Sequence, residues 1–148
     1  MVTPLTRAER HERNANVLAD LGAHGGRTED GQTLVVVRIV GARTGREHRM
    51  PLCVCADGDD LVIAASAGGQ AEHPQWYCNL QARPGVVVEY LGRTFAAIAT
   101  TEPNGPVRDR LFAALSNEIH GLYGYQDRCR DQRQIPIIRL APTPNRPE

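Results

Sequence analysis

Lysine is missing from this chain: all seventeen basic residues are arginine. Its absence excludes Schiff-base chemistry on a side-chain amine. Every positive charge instead sits on a group that stays protonated and grips phosphates and carboxylates in a two-pronged way. Net charge is missing too, because seventeen acidic residues balance the arginines. No overall field therefore favours nucleic acid or a membrane surface as partner. No apolar run approaches the roughly 20 residues that span a bilayer, and the N-terminus lacks the apolar core of a secretion signal. The expectation is a cytoplasmic protein with no integral membrane segment. Cysteines are few, at Cys53, Cys55, Cys78 and Cys129. Their spacing is not that of a zinc site, and Cys53 and Cys55 would share one strand face at a separation poorly suited to a disulfide. Structural thiols are expected rather than a metal or redox centre.

What is present bounds one domain over residues 1–148, long enough to bury a core without staples. Leu5 to Leu21 is mostly polar, with Arg7, Glu9, Arg10, Glu12 and Arg13 followed by Val17, Leu18 and Leu21. It predicts an N-terminal helix within residues 1–24, packed through its later turns, its first part loose or covering a neighbouring site. The β-branched run Thr33 to Val40 predicts a buried strand. A glycine-bounded hairpin turn follows, Gly41 to Gly45, then a returning strand from Glu47 to Ala56 and another from Leu61 to Ala65, in a meander. Further strands are predicted at Val86 to Tyr90 and Arg93 to Thr100, the latter with Phe95, Ala97 and Ala99 on one face. A helix over Val107 to Ile119 should lie on the sheet through Val107, Leu111, Leu115 and Ile119. His120 to Tyr125 reads as an aromatic, glycine-loosened loop. Ile135 to Leu140 is a closing strand that Pro136 assigns to an edge or a bulge, before a proline-rich tail. Six mostly antiparallel strands with two later helices give a mainly β, α+β protein. A small barrel with helices over its openings is expected, an open sheet being the alternative.

Two stretches carry candidate chemistry. From Ala64 to Leu80 the chain reads strand, glycine turn, helix start, with Pro74 at the first helical position. Gly68 and Gly69 let the main chain approach a ligand, and the N–H groups there favour electron-rich oxygens. On the helix Trp76, Asn79 and Leu80 fall at i, i+3 and i+4, offering an aromatic wall, an amide and an apolar plug to a flat polar heterocycle. The plainer alternative is a strand-to-helix connection with Trp76 and Leu80 as core. The second stretch is the hairpin, where Arg43, Arg46, His48 and Arg49 surround exposed turn amides. That cluster suits a phosphate or a string of carboxylates, unless it is simply a solvated basic turn.

Taken together, Gly41-Ala42-Arg43-Thr44-Gly45, Arg49-Met50-Pro51-Leu52, Ser66-Ala67-Gly68-Gly69, Pro74-Gln75-Trp76-Tyr77-Cys78-Asn79-Leu80 and Arg83-Pro84 resemble the deazaflavin-dependent nitroreductase family of actinobacteria. Tyr123, Tyr125-Gln126 and Arg133-Gln134-Ile135-Pro136 resemble its C-terminal pattern. The resemblance implies a split β-barrel of the FMN-binding type, using the 8-hydroxy-5-deazaflavin coenzyme F-420, with FMN as the less favoured cofactor. It implies that Arg43 and Thr44, with Arg46, His48 and Arg49, hold the coenzyme's phosphate and oligoglutamate tail. Pro51, Leu52 and Cys53 would line the ring's edge. Ala64 and Ser66, Ala67, Gly68 and Gly69 would face the ring, and Trp76 and Asn79 would close the pocket. Tyr123 and Tyr125 would sit over the substrate side, and with Ser66 would position substrate or relay a proton, water being the alternative. The partner would be a small electron acceptor: a quinone, a nitroaromatic or an activated enone. A quinone would place the protein peripherally at the membrane. Barrels of this type pair, so a homodimer is compatible though nothing in the strands demands it. Ala42, Ala67 and His48 stand where the family has basic residues. Charge-assisted contacts are worth roughly 1.5–3 kcal/mol each, so tail affinity or preferred tail length should differ from relatives. The rival class is a non-catalytic binding module for the deazaflavin, a flavin or haem, with His73 or His120 as axial ligand.

Overall fold

The computed structural model describes residues 6–144. The start of the expected N-terminal helix at Leu5 and the end of the proline-rich tail lie outside them. Helix α1 spans Arg7–Ala23, opened by the Thr6 hydroxyl, which accepts from Glu9 N at 3.1 Å. Its buried contacts come late: Val17, Leu18 and Leu21 pack on Leu34, Val36 and Cys53.

Seven strands follow, β1 Leu34–Val40, β2 Glu47–Cys53, β3 Cys55–Asp57, β4 Asp60–Ala64, β5 Gly85–Tyr90, β6 Arg93–Thr101 and β7 Ile137–Pro142. They form one antiparallel sheet in the order β2-β1-β5-β6-β7-β4-β3. Its first and last strands are consecutive in the chain, joined by Val54 alone. The sheet therefore has to curl until its two edges meet there, which makes it a split barrel. Odd-numbered residues of β1, Val35, Val37 and Ile39, point into the barrel beside Ile63, Val88, Ala97 and Leu140. Burying these side chains is the main driving force of the fold.

The Val54 corner overturns two expectations. The predicted strand from Glu47 to Ala56 divides there, so the count is seven rather than six, and β2, β3 and β4 do not form a meander. β2 pairs with β1, while β3 pairs with β4 on the far edge. Cys53 and Cys55 likewise part company: Cys53 packs under α1, Cys55 against the helices over the other opening. β7 is an interior strand between β6 and β4, because Pro136 sits just outside it and costs no ladder bond.

Four further helical pieces complete the fold. A 3-10 turn spans Ala67–Gly69, α2 Gln75–Ala82, α3 Pro106–Ser116 and α4 Leu122–Cys129. Pro74 is the cap of α2 rather than its first residue. On α3 the buried residues are Arg108, Leu111, Phe112 and Leu115; Val107, placed on the buried stripe by its spacing, is 43% exposed. The expected loop from His120 to Tyr125 is largely helix α4. Leu122, Tyr125 and Cys129 fall at i, i+3 and i+7 against α3 and Ile135, and that buried face outweighs the helix-weakening Gly124.

One ion network ties the barrel's outer wall. Arg139 on β7 contacts Asp57 Oδ2 at 2.8 Å, Asp60 Oδ2 at 3.0 Å and Glu102 Oε2 at 3.2 Å, and Arg110 meets Asp57 Oδ1 at 3.0 Å. Hydrogen bonds first from Arg110 and then from Arg139 hold the Asp57 carboxyl below its ordinary 3.8. Its stabilising effect is complete above that value and is lost as pH falls through the depressed one. Arg139→Met is expected to cost about 2 kcal/mol in urea unfolding at pH 7. The gap between wild type and variant should shrink below about pH 4; a gap independent of pH would contradict the network's role.

Candidate functional site

The hairpin between β1 and β2 is fastened from within. Gly45 N donates to Gly41 O at 2.9 Å, Gly41 N to Arg46 O at 2.8 Å, and Arg46 N to Thr44 Oγ1 at 3.2 Å. A Cβ on Gly41 would lie 2.7 Å from Thr44 Oγ1, so the first glycine makes room for the threonine that braces the turn. Thr44 is thus a turn-forming residue. The hairpin is also fastened to α2: Asn79 Oδ1 accepts from Ala42 N at 3.2 Å and from Gln75 Nε2 at 3.3 Å.

The hairpin's arginines divide by their partners. Arg49 is paired with Glu89 through Nη2 at 2.7 Å and Nε at 2.9 Å, and Arg38 shares the same carboxylate at 3.1 Å. Arg43 and Arg46 are exposed and have no carboxylate partner among the described residues, and His48 beside them is exposed as well. The charge available to an anion is therefore that of Arg43 and Arg46.

The second component is the turn after β4. Ala67, Gly68 and Gly69 have φ of 45°, 63° and 79°, three successive left-handed residues of which one is not glycine. Such a turn needs outside support, and Arg133 supplies it. Its guanidinium donates to Ala65 O at 3.0 Å, Ser66 O at 2.8 Å and Gln70 O at 2.9 Å, and its Nη1 lies 3.1 Å from His73 Nδ1. Arg128 adds a bond to Gly68 O at 3.0 Å. In a trans peptide the C=O and the following N–H point oppositely. With the Ala65 and Ser66 carbonyls drawn to Arg133, the Ser66 and Ala67 N–H groups face away from it as an anion-seeking pair. Burial first, and Arg133 second, hold the His73 imidazole below its ordinary 6.5, so it meets the guanidinium as a neutral ring. A cation at that nitrogen is a poor setting for haem iron. Gln126 positions Arg133, its amide joining Arg133 O at 3.1 Å and Ile135 N at 2.8 Å.

The remaining predicted site residues scatter. Trp76 is half-buried on α2, edge-on to Tyr77 with centroids 6.5 Å apart, and packs on the barrel core. Consecutive strand residues face opposite ways, so Leu52 turns to the barrel core while Pro51 and Cys53 share the other face, Cys53 under α1. Pro51, Leu52 and Cys53 do not present one surface. Burial also pushes the Cys53 and Cys55 thiols up, away from nucleophilic reactivity. Ala64 lies buried beneath α3 and α4, not on the turn's open side. Tyr125 abuts Gly69 through its main chain while its ring packs on the core under α3 and α4, whereas Tyr123 lies tilted against Phe112 with centroids 4.9 Å apart, on another side of α4.

The profile of F420H(2)-dependent quinone reductases matches residues 7–142. The chain belongs to this family. An F420H(2)-dependent quinone reductase of Mycobacterium tuberculosis is 31% identical over 109 residues, 72% of each chain. Among solved structures, an F420-H2-dependent reductase (FDR-A) superposes with a TM-score of 0.64 at 25% identity, covering 72% of this chain and 92% of that one. Another, described as a domain-swapped dimer, superposes with a TM-score of 0.65 at 22% identity over 91% of this chain and 99% of that one, a likeness of fold. The resemblance read from the two motifs is borne out, and the protein is a reductase that draws on coenzyme F-420.

Within this F420H(2)-dependent reductase, the residues missed by sequence reading are Arg128, Arg133 and Gln126. They build the turn rather than face a ligand. Gln126 and Arg133 lie in the C-terminal stretch that resembles the family, but nothing in the sequence indicates that the arginine's partners are main-chain carbonyls. The donor set fits the coenzyme: two guanidiniums without a carboxylate partner among the described residues for an anionic tail, outward turn amides for ring carbonyls, and a half-buried indole on the helix that follows the turn for a flat ring. Among the described residues no helix is long and apolar enough to cross a membrane, and no group of metal-ligating side chains is present.

Proposed function

We propose that this protein reduces a quinone, with the hairpin as the coenzyme's tail site and the Ser66–Gly69 turn beside α2 as its ring site. The observation that carries this reading is the Asn79–Ala42 bond. It fastens the hairpin bearing Arg43 and Arg46 to the helix bearing Trp76, so that a group with a charged tail and a flat head can span both. When bound, the reduced coenzyme supplies a hydride from ring carbon 5.

The chain's own residues hold, orient and shield. Arg43 and Arg46 neutralise the tail's phosphate and carboxylates. The Ser66 and Ala67 amides take a ring carbonyl, and Trp76 excludes water from one side of the ring. The Ser66 hydroxyl is assigned the proton passed to the reduced acceptor, with water as the alternative; Tyr125 meets the turn through its main chain, its ring packing on the core under α3 and α4. Tyr123 stacks on α3 and is assigned no part in this. With only hydride delivery and one protonation required, no strongly shifted acid or base is needed. Alanine at positions 42 and 67 leaves the ends of the site less basic than a lysine or arginine would, so a short tail should suffice.

Arg43→Ala should weaken coenzyme affinity about tenfold, as expected for one partly exposed charge-assisted contact. It should leave kcat at saturating coenzyme within about twofold, since the residue binds ground and transition states alike. The readout is recovery of the oxidised deazaflavin absorbance with menadione as acceptor, over a range of coenzyme concentrations. Equal affinity in wild type and variant would remove the tail assignment.

A further inference from the structure

An open surface cavity lies away from the proposed coenzyme site. It has a volume of about 510 Å³ and opens between α3 and α4, lined by Arg108, Asp109, Phe112, Tyr123, Arg130 and Arg133 among others. Three guanidiniums face one carboxylate. Arg133 is committed to the turn carbonyls, so the donors available to a ligand are those of Arg108 and Arg130.

Arg108 is the unusual member. It is only 7% exposed, yet its bonding consists of one hydrogen bond, from Nη2 to Ile135 O, and a stacking contact with Phe112 at 5.5 Å from the ring centroid. No carboxylate is paired with it among the described residues. A buried guanidinium without a counter-charge is costly, and no side-chain nitrogen among the described residues is both fully enclosed and unbonded. Its remaining donors therefore open toward the cavity. Arg130 is exposed at the end of α4 and has no ion-pair partner among the described residues. Beside these charges lie Phe112 and Tyr123, tilted at 58° with centroids 4.9 Å apart; Phe112 is buried beneath the Arg108 guanidinium, whereas Tyr123 is 57% exposed, one of the few large hydrophobics left open among the described residues. A volume of this size suits a small molecule.

We propose that this cavity is a second ligand site, separate from the quinone-reducing site, for a small flat anion: an aromatic body against Tyr123 and Phe112 with its carboxylate on Arg108 and Arg130. Arg108 supplies the buried charge, Arg130 the closing one, and the tyrosine face the contact area.

The test is calorimetric titration of the full chain with 2-naphthoate, its neutral counterpart 2-naphthamide, and inorganic phosphate. The site predicts one-to-one binding of 2-naphthoate and at least tenfold weaker binding of both other probes, since one lacks the charge and the other the flat body. Arg130→Met and Tyr123→Ala, both changes of exposed side chains, should each weaken 2-naphthoate about tenfold, whereas Arg43→Ala should not. Arg108→Met should abolish binding; because this residue is buried, the two exposed variants decide the outcome if it fails to fold. Naphthamide or phosphate binding as tightly as naphthoate would overturn the proposal. So would naphthoate affinity that ignores Arg130 and Tyr123, or that falls instead with Arg43.

Discussion

Arg133→Met is expected to lower coenzyme affinity about a hundredfold, equivalent to about 2.7 kcal/mol, although Arg133 faces the turn's carbonyls rather than the ligand. Three carbonyl oxygens and the His73 ring converge on this one guanidinium. Hydrogen bonds from a charged donor are worth roughly 1.5–3 kcal/mol each. The left-handed Ala67 it restrains stores about 1–3 kcal/mol of strain. Without the clamp the turn relaxes, and the Ser66 and Ala67 amides lose their common direction. Arg133→Lys should recover only part of the affinity, because an ammonium cannot reproduce a planar fork. Arg128→Met, which removes a single bond to Gly68 O, should cost tenfold or less. Calorimetry with the coenzyme, alongside thermal melts to separate local from global loss, reads these effects. Unaltered affinity in Arg133→Met would show that the turn holds its shape unaided.

The largest loss of stability is expected from Gly69→Ala. A Cβ there would sit 2.7 Å from Tyr125 O and 2.9 Å from Tyr125 Cα, main-chain atoms that cannot swing aside, and φ at Gly69 is 79°. Overpacking against backbone and a left-handed alanine each cost about 1–3 kcal/mol, so a total near 4 kcal/mol is expected. For a chain of this size that lowers Tm by about 10 °C. Gly68→Ala is the internal control: its φ is also left-handed, at 63°, but nothing lies within 4 Å of the added carbon. It should cost about 1 kcal/mol. Equal melting temperatures for the two variants would mean that α4 does not seat on the turn through Gly69.

The contrast between these glycines shows what the sequence makes legible. Both are readable as turn glycines, because a strand ends before them and a helix begins after. Only the fold reveals that one of them touches a helix more than fifty residues later. The strands β1, β5 and β6 and the helix α3 are readable from local spacing, and the family from the two motifs together. The sheet order is not, because the division at Val54 depends on which edge each half finds. α4 reads as a loop because Gly121 and Gly124 weigh against a helix locally, while its support comes from α3 and Ile135. The role of Arg133 is hidden because its partners are carbonyls 63 to 68 residues away, which no side-chain pattern marks. Strand alternation, by contrast, is legible, and it separates Leu52 from Pro51 and Cys53 on sequence alone.

The most direct measurement compares, by calorimetry, the affinity of coenzyme F-420 with that of the bare 8-hydroxy-5-deazaflavin ring, in wild type and in Arg43→Ala/Arg46→Ala. The account predicts that wild type prefers the tailed molecule by at least tenfold, and that the double variant binds the two nearly equally while retaining its affinity for the bare ring. A tail preference that survives loss of both arginines would contradict it.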